Sequence, residues 1–426
     1  MAEPRKTEGA RTFARLWRRM PLDGLGFGSP EDENAANLRQ WAAERFWLRA
    51  PWWSRRVLRS LSLAAWGVAA TGRTVRFSRV NSLSLPSTLQ LLGDCLRSGA
   101  QPNEAHIWRH FFQPPGFHPL AGRSAGAVLS RLGTRTEHLL LADKLATARL
   151  LRQAKLSVAE EKLTIPVGGC VDPSASVWCD AGKLFVKPRH GSASRGSMPI
   201  DVIRRGSYRM NGGPPCDTAV LQGRLTALAK ADTLLVQSRL EAGEETADLA
   251  SGGDAPVLRL TTAREPGGEP FLHSGLLAIR VPGENARHFI RGQIFAPVDP
   301  ESGQMKPGIW FLRPGERFSR LPWNRVAIEG RFLPGYASAV SMAIRAMTLV
   351  PGLALVNWDL ILSSEGPVIL EGNTCGDWIL TNLSAADRGM TCPLFPLLWR
   401  WAENSALLEK GRNRRENTAV RLGETP

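Results

Sequence analysis

The stretch Val356–Asn373, VNWDLILSSEGPVILEGN, decides how the rest of the chain is read. Two apolar runs, Leu360–Leu362 and Val368–Leu370, flank Ser364-Glu365-Gly366. A three-residue loop with glycine in its left-handed position is a common hairpin connection, so the pattern predicts two antiparallel strands. Centring the turn on Glu365 sets Asp359 opposite Glu371. Side chains two apart on a strand share a face, so Asn373 joins Glu371. Three oxygen donors, two of them anionic, then gather at one end of an apolar ribbon. Magnesium takes such ligands, as does manganese, and magnesium keeps positions for phosphate oxygens and water. The alternative is a pair of solvated strand ends and a turn-forming asparagine. What decides between them is the rest of the chain.

At 426 residues the chain has room for two or three domains. Its hydrophobic content of 43% and charged content of 22% exclude wholesale disorder. The net charge of +15 is unevenly placed: residues 1–135 hold 20 Arg plus Lys against 9 Asp plus Glu, and all but one of the twenty are Arg. Seven of the fourteen Trp lie there too. Two readings stay open. One is codon usage in a GC-rich genome. The other is a peripheral contact with membrane headgroups or an acidic glycan, without specific nucleic-acid binding. Six cysteines show no C-x-x-C spacing, which fits a reducing cytoplasm. No signal-peptide pattern opens the sequence, and the apolar run Leu61–Ala70 is too short to span a bilayer. The expectation is a cytoplasmic protein, at most peripheral at the inner membrane.

Periodicity predicts helices from about Glu33, over Trp53–Ala70 and over Leu85–Ser98, the last with Pro86 in its first turn and Gly99 past its end. His106 and His110 stand four apart, a metal-compatible spacing with no acidic third ligand near, so a packed pair is the better reading. Pro114, Pro115 and Pro119 mark a boundary near 115–135. Beyond it, a helix Leu145–Ala154 follows Asp143-Lys144, and strands are read at Leu163–Val167 and Leu184–Val186. The second strand ends in Lys187-Pro188-Arg189 and a Gly/Ser loop, His190 to Met198. Glycine lets backbone N–H groups approach anionic oxygens while the ammonium acts as a point charge. It is not a Walker loop, because the lysine precedes the glycines. A helix Leu221–Ala231 leads to the strand Thr233–Gln237; further strands are read at Val257–Thr262, Leu276–Val281 and Phe295–Asp299, then helices at Ala337–Leu349 and Thr391–Leu408.

The ordered stretches LFVKPRHGSASRGSM, LVQSRL, VLRLTTA, FAPVDPESG and VNWDLILSSEGPVILEGNT resemble the sugar-transfer-associated ATP-grasp family, relatives of the alpha-L-glutamate ligases, over about residues 136–404. The resemblance implies an α+β fold in which two α+β subdomains grip ATP, preceded by a mainly helical region. The divisions expected are 1–135, 136–235 with the phosphate loop, 236–404 with the metal site, and a polar tail at 405–426. It implies that Lys144 and Lys187 bind phosphates, and that the loop holding Gly191, Ser192, Ser194, Gly196 and Ser197 folds over them. Gln237, Arg239 and Leu240 fall on the adenine hinge and Glu244 on the ribose contact. Asp359, Glu371 and Asn373 fall on the magnesium ligands, and Arg259 on the basic residue directed at the transferred phosphoryl group, so that Arg259 and Lys187 are the catalytic candidates. Two facing carboxylates repel unless a cation is close, and Lys144, Lys187 and Arg259 are the candidates to neutralise them. The chain departs from the family around Arg287–Gly292, where His288 and Arg291-Gly292 stand in place of an Asn and a Gly-Gly pair. The implied activity is an ATP- and magnesium-dependent ligase joining a carboxylate to an amine or thiol through an acyl phosphate, in glycan or peptide modification. A nucleotide-binding scaffold without turnover and a membrane- or polyanion-docking protein are the rival readings.

Overall fold

The computed structural model describes residues 53–111, 122–169, 175–180, 182–191, 196–251, 254–283, 292–313, 315–374 and 394–405, with scattered positions at 37–45 and 380–383. It opens on helices: α1 (Arg55–Val80), α2 (Leu85–Ser98), α3 (Pro102–Phe111), α4 (Gly122–Leu129), α5 (Arg135–Ala142) and α6 (Lys144–Gln153). The bounds of α2 are those expected. Ser84 Oγ accepts from the Ser87 amide at its start, and Gly99 closes it at φ 71°. By contrast α1 runs ten residues past the expected end at Ala70. Exposed Gly72 lowers helix propensity, but Thr74 and Ser78 beyond it are buried and hold the last turns down. The expected boundary stretch at 113–122 lies, apart from Gly122, outside the described residues, as do 406–426.

Two six-stranded antiparallel sheets follow among the described residues. The smaller unit contains β1 (Glu161–Ile165), β2 (Gly182–Pro188), β3 (Met198–Arg204), β4 (Ser207–Met210), β5 (Pro215–Cys216) and β6 (Leu234–Ser238), in the order β1-β6-β2-β3-β4-β5. Helix α7 (Thr218–Ala229) covers it, burying Leu221 and Leu225 in one core with Val186, Ile200 and Val236. Each such leucine contributes about 1.5–3 kcal/mol on leaving water.

The larger sheet holds β7 (Val257–Arg264), β8 (Pro270–Arg280), β9 (Gln293–Val298), β10 (Ile309–Trp310), β11 (Leu355–Ser363) and β12 (Gly366–Asn373), in the order β10-β9-β8-β7-β11-β12. Helix α8 (Tyr336–Thr348) shares its core with Leu260, Trp358 and Leu360. Leu276, Ala278 and Phe295 pack instead with Trp66, Ala70, Ile107 and Trp108 of α1 and α3. Ala263 and Leu355 pack with Leu38, Trp41, α4 and the helical residues 394–405. The fold is α+β, with a helical N-terminal region built onto the large sheet.

The hairpin forms, by a slightly different route from that expected. Ser363 pairs with Gly366, whose φ is +106°, so two residues rather than three link the strands. Leu360 pairs with Ile369 but Asp359 with Glu371, leaving Leu370 as the extra residue of a bulge. The two offsets cancel, and the acidic pair lies in the expected register. Gly372 separates Glu371 from Asn373 because a Cβ there would come within 2.6 Å of the Trp358 ring.

Candidate active site

Strand pairing puts the charged residues in rows. Arg259, Asp359 and Glu371 lie side by side across β7, β11 and β12, with Thr261, Asn357 and Asn373 in the parallel row. Arg259 grips Asp359 with a planar fork, Nε to Oδ1 at 2.7 Å and Nη2 to Oδ2 at 2.8 Å, both side chains buried. Burial pushes the Asp359 carboxyl above the usual carboxylate range, against the pull of Arg259. Asn373 Nδ2 donates to Glu371 Oε1 (3.2 Å) and Asp359 Oδ2 (3.4 Å), so the three side chains expected as metal ligands converge. Behind them Thr261 Oγ1 donates to Asn357 Oδ1 at 2.6 Å.

The lysines arrive on two different elements, Lys187 on β2 of the smaller unit and Lys144 on α6, which packs in the core of the large sheet. Lys187, on β2, donates from Nζ to the carbonyl of the bulge residue Leu370 at 3.2 Å. Burial drives the Lys187 ammonium down to about 8; Glu371 and Asp359 oppose this, and Lys144 adds to it. Lys144, the first residue of α6, places Nζ 3.6 Å from Glu371 Oε2 and 2.6 Å from the Gly191 carbonyl. Three cations thus meet two carboxylates, leaving a net positive cluster suited to a polyanionic phosphate chain.

A brace that sequence reading did not find sets Lys144 in place. Asp143 caps α6 by accepting from the Leu145 (3.0 Å) and Ala146 (3.2 Å) amides. The same carboxylate takes both Nε (2.8 Å) and Nη2 of Arg189, which holds it well below the usual carboxylate range. The Lys144 amide donates to the Arg189 carbonyl at 3.1 Å. Asp143 as N-cap is a sequence signal; its partner 46 residues away is not.

The remaining candidates lie off this cluster. Ser192 and Ser194 fall outside the described residues, as do Arg287–Arg291; Gly191 and Gly196 are exposed ends of the phosphate-loop segment, and Ser197 is half-buried. Gln237 is buried on β6, two positions from Leu235, the residue paired with Lys187, roughly 7 Å along the strand. Arg239 turns to Asp201 (2.8 Å), and its amide donates to the Lys183 carbonyl at 2.9 Å. Past the half-buried Leu240, the Gly243 amide donates to the Leu362 carbonyl (2.9 Å), tying the segment after β6 to the large sheet, and Glu244 is exposed. The His106 and His110 rings stack edge-on at 4.6 Å in α3, with His106 buried and His110 exposed.

Among the described residues no group of three or more His, Cys, Asp or Glu is placed to hold a metal ion. The set Asp359, Glu371 and Asn373 nonetheless fits a hard cation in chemistry, with the amide oxygen of Asn373 as third donor. No helix of the described residues is long and apolar enough to cross a membrane.

Two antiparallel units meet at this cluster, Lys187 of the smaller one beside the carboxylates of the larger, and the sequence places the protein among the ATP-grasp proteins. The sequence matches the sugar-transfer-associated ATP-grasp family over residues 127–391, and the chain belongs to that family. No curated protein matches it in sequence. Similar solved structures include an L-amino acid ligase from Bacillus licheniformis, at 12% identity and TM-score 0.35, covering 62% of this chain and 48% of that one. The chain therefore spans about half the length of that ligase. Also similar are the D-alanine–D-alanine ligases of Coxiella burnetii (13%, TM-score 0.40, 70% and 69% covered) and, in complex with ATP, of Bacillus anthracis (12%, 0.37, 65% and 68%).

Proposed function

We propose that the protein is an ATP- and magnesium-dependent ligase that activates a carboxylate as its acyl phosphate and transfers it to an amine or thiol. The observation that carries this reading is the convergence of Lys187 from the smaller unit and Lys144 from α6 with Arg259, Asp359, Glu371 and Asn373 of the large sheet. Phosphoryl transfer asks chiefly for neutralised charge and reacting oxygens held in line, with no side-chain nucleophile. Lys144 and Lys187 would bind phosphate oxygens, and Arg259 would stabilise charge on the transferred phosphoryl group. The carboxylate oxygen then bonds to the γ-phosphorus as the bond to ADP breaks. Attack by the amine nitrogen releases phosphate, and the nitrogen loses a proton. The loop 191–198 is the proposed lid that keeps water from the acyl phosphate. Gln237 to Leu240 would hold adenine along the backbone, and Glu244 the ribose. Asp359, Glu371 and Asn373 would hold magnesium, which supplies charge neutralisation on the phosphates when bound.

A role in modifying a cell-surface glycan or a peptide is the proposed context, resting on the family's description. The test is an acceptor screen by mass spectrometry with purified protein, ATP, magnesium and pooled metabolites. A product formed by loss of water from two metabolites, with matching ADP and phosphate, supports the reading. ATP binding without any product across the pool would favour the scaffold instead.

A further inference from the structure

The outer face of α1 carries an apolar stripe. Val57, Leu61, Val68 and Val75 recur at four- and seven-residue steps along one side of a helix roughly 40 Å long. Leu61 is 61% exposed and Val68 78%, with Trp53 ahead of the helix at 70%. The opposite side is occupied, since Trp66, Ala70 and Thr74 are buried and the first two share a core with Leu276 and Phe295 of the large sheet. Contiguous apolar surface of this kind on a folded protein marks an interaction site. The sequence around it is one-sided in charge as well. Between Glu44 and Asp94 the sequence holds eight arginines and no acidic residue. Arg76 and Arg79 are exposed at the C-terminal end of the helix.

We propose that this face docks on an anionic lipid bilayer, with the stripe entering the headgroup–acyl boundary and Arg76 and Arg79 meeting lipid phosphates. The helix lies on the bilayer and does not cross it. Both halves of the surface are needed to choose this partner. An acidic glycan or nucleic acid matches the arginines but offers no apolar phase to Leu61 and Val68. A second copy of this chain offers apolar area but sets the same arginines against each other. The anionic bilayer satisfies both. The inference is independent of catalysis, because none of these residues belongs to the Lys187 cluster.

The experiment is co-sedimentation of the full chain with phosphatidylcholine vesicles, with and without roughly one third phosphatidylglycerol, an anionic lipid that supplies the surface potential. The expected result is retention on the anionic vesicles only, weakened about tenfold or more between about 0.1 and 0.5 M salt. L61E/V68E and R76E/R79E should each weaken retention by about tenfold or more. All four positions are exposed, so thermal unfolding should be unchanged and serves as the folding control. Should L61E/V68E fail to fold, V68S is the milder variant and should show the same direction of loss. Absence of retention on anionic vesicles would overturn the proposal. So would vesicle binding indifferent to both double variants, or a dimer in light scattering that L61E/V68E dissolves. Binding to a sulfated polysaccharide alone, unaffected by L61E/V68E, would assign the surface to polyanions and overturn it as well.

Discussion

Lys187 is the candidate phosphate ligand most altered by burial. Buried and pushed down to about 8, it keeps its charge near neutral pH with Glu371 and Asp359 opposing the effect of burial. Lys187→Met preserves length and apolar stem while removing that charge. Its expected effect is weakened ATP binding and turnover lowered by about 10²–10³-fold, the scale of losing one preorganised electrostatic contact. Calorimetry with ATP and a phosphate-release assay check both, and unchanged affinity and rate would remove Lys187 from the site. Glu371→Gln keeps the shape and takes away one anionic donor. The magnesium concentration for half-maximal activity should rise by about tenfold or more while circular dichroism stays unchanged, because each anionic ligand sets affinity in such sites. The convergence of Asp359, Glu371 and Asn373 was legible from period-two alternation, a local rule. The Asp143–Arg189 pair was not, since nothing local in a single sequence links residues 46 positions apart.

Two local departures decide the geometry of the hairpin. The turn is one residue tighter than the Ser-Glu-Gly pattern predicts, and the bulge at Leu370 restores the Asp359–Glu371 register. The bulge also puts the Leu370 carbonyl within reach of Lys187, so an apparent irregularity joins the two units. Strand β3 escaped sequence reading although Met198, Ile200 and Val202 alternate inward with Pro199 and Asp201 between them, because the run follows directly on the Gly/Ser loop, and β4 and β5 are only four and two residues long. Helices α4 and α5 escaped because each is only eight residues long, too short for a periodic signal. At this scale the testable element is α6. Asp143→Ala removes its cap and the Arg189 partner together, and should lower stability by about 1–2 kcal/mol in denaturant unfolding. If the brace also positions Lys144, KM for ATP should rise more than kcat falls, and Asp143→Asn, which keeps the cap, should recover stability but not KM. Equal KM in all three proteins would make the brace purely structural.

The division into a region 1–135 and two catalytic subdomains is a proposal at the level of the whole molecule, and the packing bears on how it should be tested. Trp66, Ile107 and Trp108 share a core with Leu276 and Phe295, so a cut between the N-terminal region and the rest should leave the two fragments associated. A protease acting in the Pro-rich stretch 113–122 should yield a fragment beginning between about 110 and 140 that co-elutes with the N-terminal piece until denaturant is added. That same packing contains an acid-sensitive point. His106 is buried in α3, its ring 5.4 Å from Phe77 of α1 and 4.6 Å from His110, with Arg109 on its own helix and Arg317 facing His110. Burial first, then His110 and Arg109, lower its imidazole to about 4. A histidine held neutral in the folded state binds fewer protons than in the unfolded chain between pH 6.5 and 4. Stability contributed above 6.5 is therefore lost as pH falls through that window, by about 3 kcal/mol at most. Wild type and His106→Gln, unfolded by urea at a series of pH values, should differ in slope there, the variant being flatter below pH 6.5. His110, also lowered by burial, adds in the same direction, and His106→Gln/His110→Gln should flatten the curve further. Identical pH slopes in wild type and both variants would mean that these histidines ionise in the folded protein as freely as in the unfolded chain, and the α1–α3 packing around Phe77 would then have to admit water.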